Sequence, residues 1–598
     1  MIIRRRSRKT IVTILLIILT FSSFKPVGYL GDFFKNNSNK LIRDEELFRF
    51  TYMESKGSFI NILEEFLKTY ASSSSIMRFG ANDKTFSRGN VTARVYWVRA
   101  GANGDGRSAE NPAGNITYLL ENYDLSNSVI NVLPGEYNES IEKFPLILEY
   151  TNLTIRAIGD ASETVIKFPI KEVFIPGLHA AIIVKAANIT IEGLKISGSY
   201  TGIRVIGNAH GTVIRGNIFE NTTCAVALDT SYNLVKDNVF YRNYIGVFIG
   251  VSWRGSNNIV SNNVFRKTDI DVVVYTAENI IRGNRMSSGI LIDTSLEAAV
   301  SQVIENNTIN GKPILYYKNQ REISVSAEIG QLILVNTTGF RINGLSISNA
   351  CIGIEVLYSQ EIVIESNCLE NNIYGIGVAN SEKITISNNK LINNTVGVFF
   401  SYVNASIVRD NKFLDNYYGV LLITSSNNLV TKNLFSENKF GILLMGGPLI
   451  LWSPSPPPSI NNKILDNQFS GNKVGIAFNK TMGSLATSNF VYRNNFVANN
   501  IHAIDNCGKN YFNDSSSGNF WDDYNGSDLD GDGIGDTPYR IPGEGKSFDY
   551  KPLMKPLKIF DEQKGETISL VSVKLIVGVT IFVCIAIILV YYKKRIMH

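Results

Sequence analysis

Apolar and polar positions alternate along much of the chain with a period of two, as in Ile384-x-Ile386 and Val396-x-Val398. That period belongs to short strands with one face buried. The runs recur as copies of one unit: EIVIESNCLENNIYGIGVANS, KITISNNKLINNTVGVFFSYV, ASIVRDNKFLDNYYGVLLITS and NLVTKNLFSENKFGILLMGG. Gly353, Gly375, Gly397, Gly419 and Gly441 recur at one constant interval, which sets a coil of about 22 residues. The same interval separates Asn367, Asn389, Asn411 and Asn433, and again Asn372, Asn394, Asn416 and Asn438. Three ladders in one register predict a solenoid in which each coil buries its face against the next. The units are rich in Ile, Val, Phe, Tyr, Asn and Gly, so helix propensity is low, and no Leu-x-x-Leu-x-Leu frame is present. A parallel β-helix is the predicted fold. Glycine and asparagine tolerate left-handed backbone and are expected at its corners, with the asparagines stacked at strand spacing as a structural ladder.

Looser copies extend the array toward the N-terminus: ANITIEGLKISGSYTGIRVIG, HGTVIRGNIFENTTCAVALDT, NLVKDNVFYRNYIGVFIGV and NNIVSNNVFRKTDIDVVVYT. The stretch from about 280 to 335 is irregular. Past Gly441 the matched positions Asn467, Asn472 and Gly475 come later than the interval requires, and the extra length belongs to a loop, GGPLILWSPSPPPS, spanning residues 446–459. Its prolines stiffen it and cannot join a central ladder. Before the coils, Leu47, Phe50, Ile60, Leu63, Phe66 and Leu67 have helix-like spacing and predict a helical cap or juxtamembrane segment.

The chain ends change the picture more than the average composition does. Arg4, Arg5, Arg6, Arg8 and Lys9 precede the apolar run Ile11 to Phe21, the order of a secretory signal or signal anchor. Leu575 to Tyr592 is an uninterrupted apolar stretch followed at once by Lys593, Lys594 and Arg595. As a helix it is long enough to cross ~27 to 30 Å. The basic flanks put both chain ends in the cytoplasm before processing and everything between them outside. The expected location is the cell membrane, single-pass, or two-pass if the first segment is retained. The organisation that follows is signal or anchor (1–30), helical linker (40–90), β-helix (91–505), C-terminal module (506–556), linker (557–572), transmembrane helix (573–592) and cytoplasmic tail (593–598). Sequons such as Asn90, Asn115, Asn152 and Asn188 suit an exported surface, though an Asn-rich β protein also makes them by chance. A net charge of +5 over 598 residues, without a basic stripe, argues against a nucleic-acid partner. Five cysteines without tight spacing indicate neither a disulfide framework nor a CxxC metal site.

Tyr96-Trp97-Val98 with GANGDGRSAENPAGNITYLLENY, VINVLPGEYNESI and LTIRAIGDASETVIKFP resembles the opening coils of pectin-lyase-like right-handed β-helix proteins. GNFWDDYNGSDLDGDGIGDTPYRIPG with DYKPLM is similar to the C-terminal module of NosD-like proteins, which share carbohydrate-binding and sugar-hydrolase (CASH) type repeats. The resemblance covers roughly residues 95 to 554 and implies a right-handed solenoid. It also implies copper, because NosD-like proteins are associated with maturing the copper sites of nitrous oxide reductase, and it implies polysaccharide cleavage through the β-helix lyases and hydrolases.

The residues themselves point elsewhere. Asp528, Asp530, Asp532 and Asp536 occupy positions 1, 3, 5 and 9 of a loop with Gly533 at 6 and Ile534 at 7, where a backbone carbonyl can join them. Alternate oxygens on a tight Gly-rich loop suit Ca2+, which takes six to eight oxygen ligands. Tyr539 stands where a full EF-hand has its bidentate Glu, so Asp522 or Asp523 is the expected supplement. Copper is not supported, because His179, His210, His502 and His598 do not cluster and the eight methionines form no motif. Asp522 and Asp523 are the adjacent acids in the most suggestive setting for catalysis, but neighbours on a strand point opposite ways. Asp229 and Asp410, beside Arg204 and Arg409, read as single charges on solvated faces. Outward aromatics, Tyr374, Tyr417, Tyr418, Phe440 and Trp452, are candidates for stacking on sugar rings. The leading expectation is a noncatalytic, membrane-tethered binder of glycans or surface proteins, or a stalk. The alternatives are a membrane-anchored polysaccharide lyase or hydrolase and, behind it, a copper-maturation accessory.

Overall fold

The computed structural model describes residues 93–168, 180–446, 457–480 and 484–560. The signal or anchor, the helical linker, the transmembrane segment, the tail and Trp452 all lie outside them. Among the described residues no helix is long and apolar enough to cross a membrane.

The strands are short and pair in parallel from coil to coil, as the period-two pattern predicts. In the first stack a nine-stranded sheet runs from Arg94–Val98 to Val303–Glu305 and a seven-stranded sheet from Leu146–Leu148 to Ile290–Ile292. A third face runs from Gly135–Tyr137 to Thr308–Ile309. The second stack repeats the plan. Two eight-stranded sheets run from Ser324–Val325 to Phe490–Tyr492 and from Ser346–Ser348 to Phe520–Trp521, and a third face runs from Lys312–Lys318 to Ile501–Asp505. The chain is therefore all-β in its described core, with short helices at Ile116–Asn122 and Leu296–Ser301.

The irregular stretch is a reversal of strand direction. Thr308–Ile309 pairs antiparallel with Lys312–Lys318 across Asn310 and Gly311, whose φ values of 51° and 82° suit a tight hairpin turn. Parallel pairing resumes when Lys312–Lys318 meets Gln331–Val335. At the same junction Cys351 N donates to Ser288 O, Ile292 N to Glu355 Oε1 and Tyr358 Oη to Thr294 O. One buried apolar cluster draws on outward-facing residues of both stacks, including Cys224, Phe248 and Val273 of the first and Tyr374, Phe399 and Leu421 of the second.

Inside the second stack the predicted ladders are hydrogen-bonded. Asn367 Nδ2 donates to Asn389 Oδ1 at 2.9 Å, and the chain continues through Asn411, Asn433, Asn467, Asn494 and Asn519 at 2.9 to 3.0 Å. Register survives the 446–459 loop, since Asn433 bonds Asn467 on its far side. A ladder of the same kind holds the first stack, where Asn217, Asn238, Asn263, Asn284 and Asn307 are 21, 25, 21 and 23 residues apart. Uneven spacing hid it from a fixed-period reading. Inward-facing Phe413, Phe435, Phe469 and Phe496 stack at 4.7 to 4.8 Å and near-parallel, each burial contributing about 1.5 to 3 kcal/mol.

Two details of the corner prediction need correction. Glycine and asparagine do hold left-handed corners, as at Gly193, Gly216, Gly344, Asn371 and Asn393, but the laddered asparagines themselves do not: the residues immediately before them, Ser366, Asn388, Asp410, Lys432 and Asp466, have φ of 54° to 57°. The glycine ladder lies within strands and has a different cause. A Cβ on Gly397 would come 2.6 Å from the carbonyl oxygen of Gly419 and 2.9 Å from the Phe413 ring, so glycine is required by close approach of successive coils.

Candidate functional site

The second stack is closed by the C-terminal module, and the ring column carries into it. Trp521 stacks on Phe496 at 4.4 Å and Tyr539 stacks on Trp521 at 4.5 Å. Asp549 is buried beneath them and accepts from Asn519 N, Lys551 N and Trp521 Nε1 at 2.7, 3.0 and 3.0 Å. Burial pushes its carboxyl up to about 6 against the pull of those donors. On the other side, buried Asp505 accepts from Gly508 N at 2.9 Å and Ser547 Oγ at 2.6 Å. The module is thus pinned to the last coils by two buried acids.

Two oxygen-rich groups stand at this end. In the first, Asp528, Asp530 and Asp532 each bring a carboxylate oxygen within 4.8 Å of the others, as the loop spacing predicts. Gly531 and Gly533, at φ of 75° and 88°, provide the tight turns. Asp528 accepts backbone N–H groups from Gly531, Asp532 and Gly533. Asp536 is not part of that convergence and instead accepts from Leu529 N at 2.7 Å. Ile534, half-buried, donates its N–H to Asp532 Oδ1 at 2.7 Å.

The second group was not anticipated. Asp522 and Asp523 do not supplement the loop, nor do they point apart; they follow the strand Phe520–Trp521 in a turn, and both reach His502. His502 Nε2 lies 2.8 Å from Asp522 Oδ1 and 3.3 Å from Asp523 Oδ1. Asn499 Nδ2 is 3.3 Å from Nδ1, so a neutral ring that accepts there donates from Nε2 to the acids. Asp522 Oδ2 also accepts from Ala498 N, and Tyr539 Oη donates to Asp523 Oδ2 at 3.2 Å. Burial, then the charges of Asp523 and Asp522, hold the Tyr539 hydroxyl well above its usual range. A single histidine gives no sequence signal, because its partners lie in the turn after a later strand that coil stacking brings beside it.

The outward aromatics are mostly not available for stacking. Tyr374 and Tyr418 are buried in the cluster shared by the two stacks, and Tyr374 packs on Phe399 at 5.3 Å. The alternation placed them correctly on the outer face; packing of that face against other parts of the molecule buries them. Tyr417 and Phe440 are half-buried, and the Lys439 ammonium donates to Tyr417 Oη at 2.7 Å while lying 4.2 Å from its ring centre. Asp410 pairs with Arg409 at 2.8 Å, whereas Asp229, paired with Arg204 at 3.2 Å, is buried and also accepts from Ser252 N, so it is not on a solvated face.

Both converging groups offer hard donors. Among the described residues His502 has carboxylates and an amide for neighbours, and Cys224 and Cys351 are buried in the apolar cluster. Neither arrangement fits copper, which prefers several imidazole or sulfur ligands.

No curated protein matches the chain. Solved structures with similarity include the alginate lyase from Paenibacillus sp. str. FPU-7, at 14% identity over 50% of this chain and 91% of that one, with a TM-score of 0.22. The A-module of the Azotobacter vinelandii mannuronan C-5 epimerase AlgE6 matches at 13% identity over 60% and 90%, with a TM-score of 0.21. The catalytic unit of the GH87 α-1,3-glucanase from Streptomyces thermodiastaticus strain HF3-3 matches at 11% over 60% and 62%, with a TM-score of 0.23. At those values the likeness says nothing about chemistry. A family described as periplasmic copper-binding protein (NosD) matches residues 171–317 and 305–526, which together take in the asparagine ladders of both stacks and the start of the C-terminal module. With more than half of its length matched in this way, the chain belongs to the NosD family.

Proposed function

We propose that the chain is an exported, membrane-tethered binding protein whose β-helix is a rigid platform for glycans or surface proteins and whose C-terminal module holds Ca2+. The observation that carries this reading is the convergence of Asp528, Asp530 and Asp532 within 4.8 Å on an exposed loop of the module that closes the second stack. Three carboxylates so close repel one another, and a hard divalent cation relieves that repulsion while using oxygen donors. Copper, named in the family description, finds no suitable donor set among the described residues, and no step is assigned to it.

Titration of the full chain in detergent with Ca2+ tests the cation: heat of binding and a raised melting temperature are expected, both lost in D530N/D532N. A silent titration and an unchanged melting temperature would sink the calcium site. Glycan-array binding tests the platform, and an array without a binder would leave a stalk.

The His502, Asp522, Asp523 and Tyr539 group favours a second reading, a membrane-anchored polysaccharide lyase or hydrolase, because an imidazole, two carboxylates and a phenol are acid–base groups. New reducing or unsaturated ends on incubation with uronic-acid or neutral polysaccharides plus Ca2+ would support it; their absence would leave binding alone.

A further inference from the structure

We infer that the third face of the first stack binds an acidic polysaccharide, with Arg266 and Arg285 taking its carboxylates and Tyr241 stacking on a sugar ring. This deepens the glycan-binding reading and rests on it.

Tyr241 and Arg266 are in register on adjacent strands, and Val264 of the same strand as Arg266 is in register with Arg285. At ~4.8 Å between strands the three side chains occupy neighbouring positions of one outward surface. Arg266 and Arg285 are exposed, and among the described residues neither makes an ion pair. Arg242 and Lys267 occupy corners of successive coils beside them, 5.0 and 6.0 Å from the centre of the Tyr241 ring. The nearest acid in the Tyr241–Arg266 row, Glu220, is held by Lys195 at 2.6 Å. Between the arginines lies an open hollow lined by Val264, Thr308 and the hairpin at Asn310 and Gly311, while the neighbouring Phe265 ring points inward and stacks on Phe240 at 4.5 Å.

The chemistry selects the partner. A guanidinium is a planar fork that matches a carboxylate with two hydrogen bonds, and a tyrosine ring on the same surface suits the flat face of a sugar. Beyond these three coils the cations of the face are paired with acids, Lys195 with Glu220 and Lys167 with Glu136, and on the other side Thr308 follows Arg285. That three-coil span is too short for the basic stripe that a nucleic acid needs, and it fits a few repeating units of a polyuronate.

The test compares the full chain in detergent against polygalacturonate, dextran, dextran sulfate and single-stranded DNA at one ionic strength. Polygalacturonate is expected to bind and dextran not to, with affinity falling as salt rises. R266A/R285A should weaken polygalacturonate at least about tenfold, R285E alone should do the same, and Y241A should weaken it several-fold. All three positions are exposed or half-buried, so their variants should keep the wild-type circular dichroism and melting temperature. K390A/K412A removes equal charge from the second stack and should leave binding unchanged. Equal binding of dextran, tighter binding of DNA or dextran sulfate, or retained affinity in R266A/R285A would overturn the assignment while leaving glycan binding intact. Failure of every glycan would remove both.

Discussion

Single residues in this molecule are constrained by the neighbour one coil away rather than by the neighbour in sequence. Asn389 shows the pattern: its Nδ2 donates to Ile364 O and Asn411 Oδ1, and its Oδ1 accepts from Asn367 N, all at 2.9 to 3.0 Å and all buried. Asn389→Ala leaves those partners unsatisfied and should cost about 2 to 4 kcal/mol, read as a lowered denaturant midpoint. Gly397→Ala should cost at least as much, because backbone cannot move away from a Cβ placed 2.6 Å from a carbonyl. Lys432 holds φ of 54° without being glycine or asparagine, so Lys432→Gly should raise the melting temperature, with a gain of up to ~1 kcal/mol. The fixed period made the ladders legible in the sequence. It did not reveal why glycine occupies its rung, since a two-residue alternation carries no information about distance to the next coil. His502 was illegible for a related reason: what it touches is decided by coil stacking and by the turn after Trp521.

At the scale of elements, the junction and the module both bury acids. Burial pushes Asp271 up to about 6, although Ser287, Ser288 and Gly289 donate backbone N–H groups to it, and Asp549 is pushed up to about 6 beneath the ring column. A folded-state value above the unfolded one makes the folded form bind its proton more tightly. The contribution of these groups is therefore fully present below about pH 4 and is lost as pH rises through about 6, at most about 3 kcal/mol for each fully buried acid. Thermal unfolding followed from pH 4 to 7 should show this decline, and Asp271→Asn should flatten it. A curve that rises over that range in both proteins would contradict the assignment. The hairpin at Asn310 and Gly311 was present in the sequence as a break in the repeat, but irregularity alone does not distinguish a bulged coil from a reversed one; the antiparallel pairing of Thr308–Ile309 with Lys312–Lys318 does.

For the whole molecule, a linear solenoid should unfold from its ends with nearest-neighbour coupling. Here the outer faces of both stacks also share one buried cluster, which ties distant coils together. Phe399 is in that cluster, so Phe399→Asp should uncouple the stacks and split a single calorimetric transition into two, with little change in far-ultraviolet circular dichroism. The fold class and the second stack were legible because one unit is copied with few changes. The sharing of a face between stacks was not, because an outward apolar residue in a strand looks the same whether it meets solvent or another sheet. The ring column has a further practical consequence. Trp521 is sandwiched between Phe496 and Tyr539, while the Tyr539 hydroxyl touches Asp523. Any event that shifts the acidic turn alters the surroundings of one indole, so the intensity and wavelength of tryptophan emission make an intrinsic optical gauge of the closing module, readable without a label and removable by Trp521→Phe.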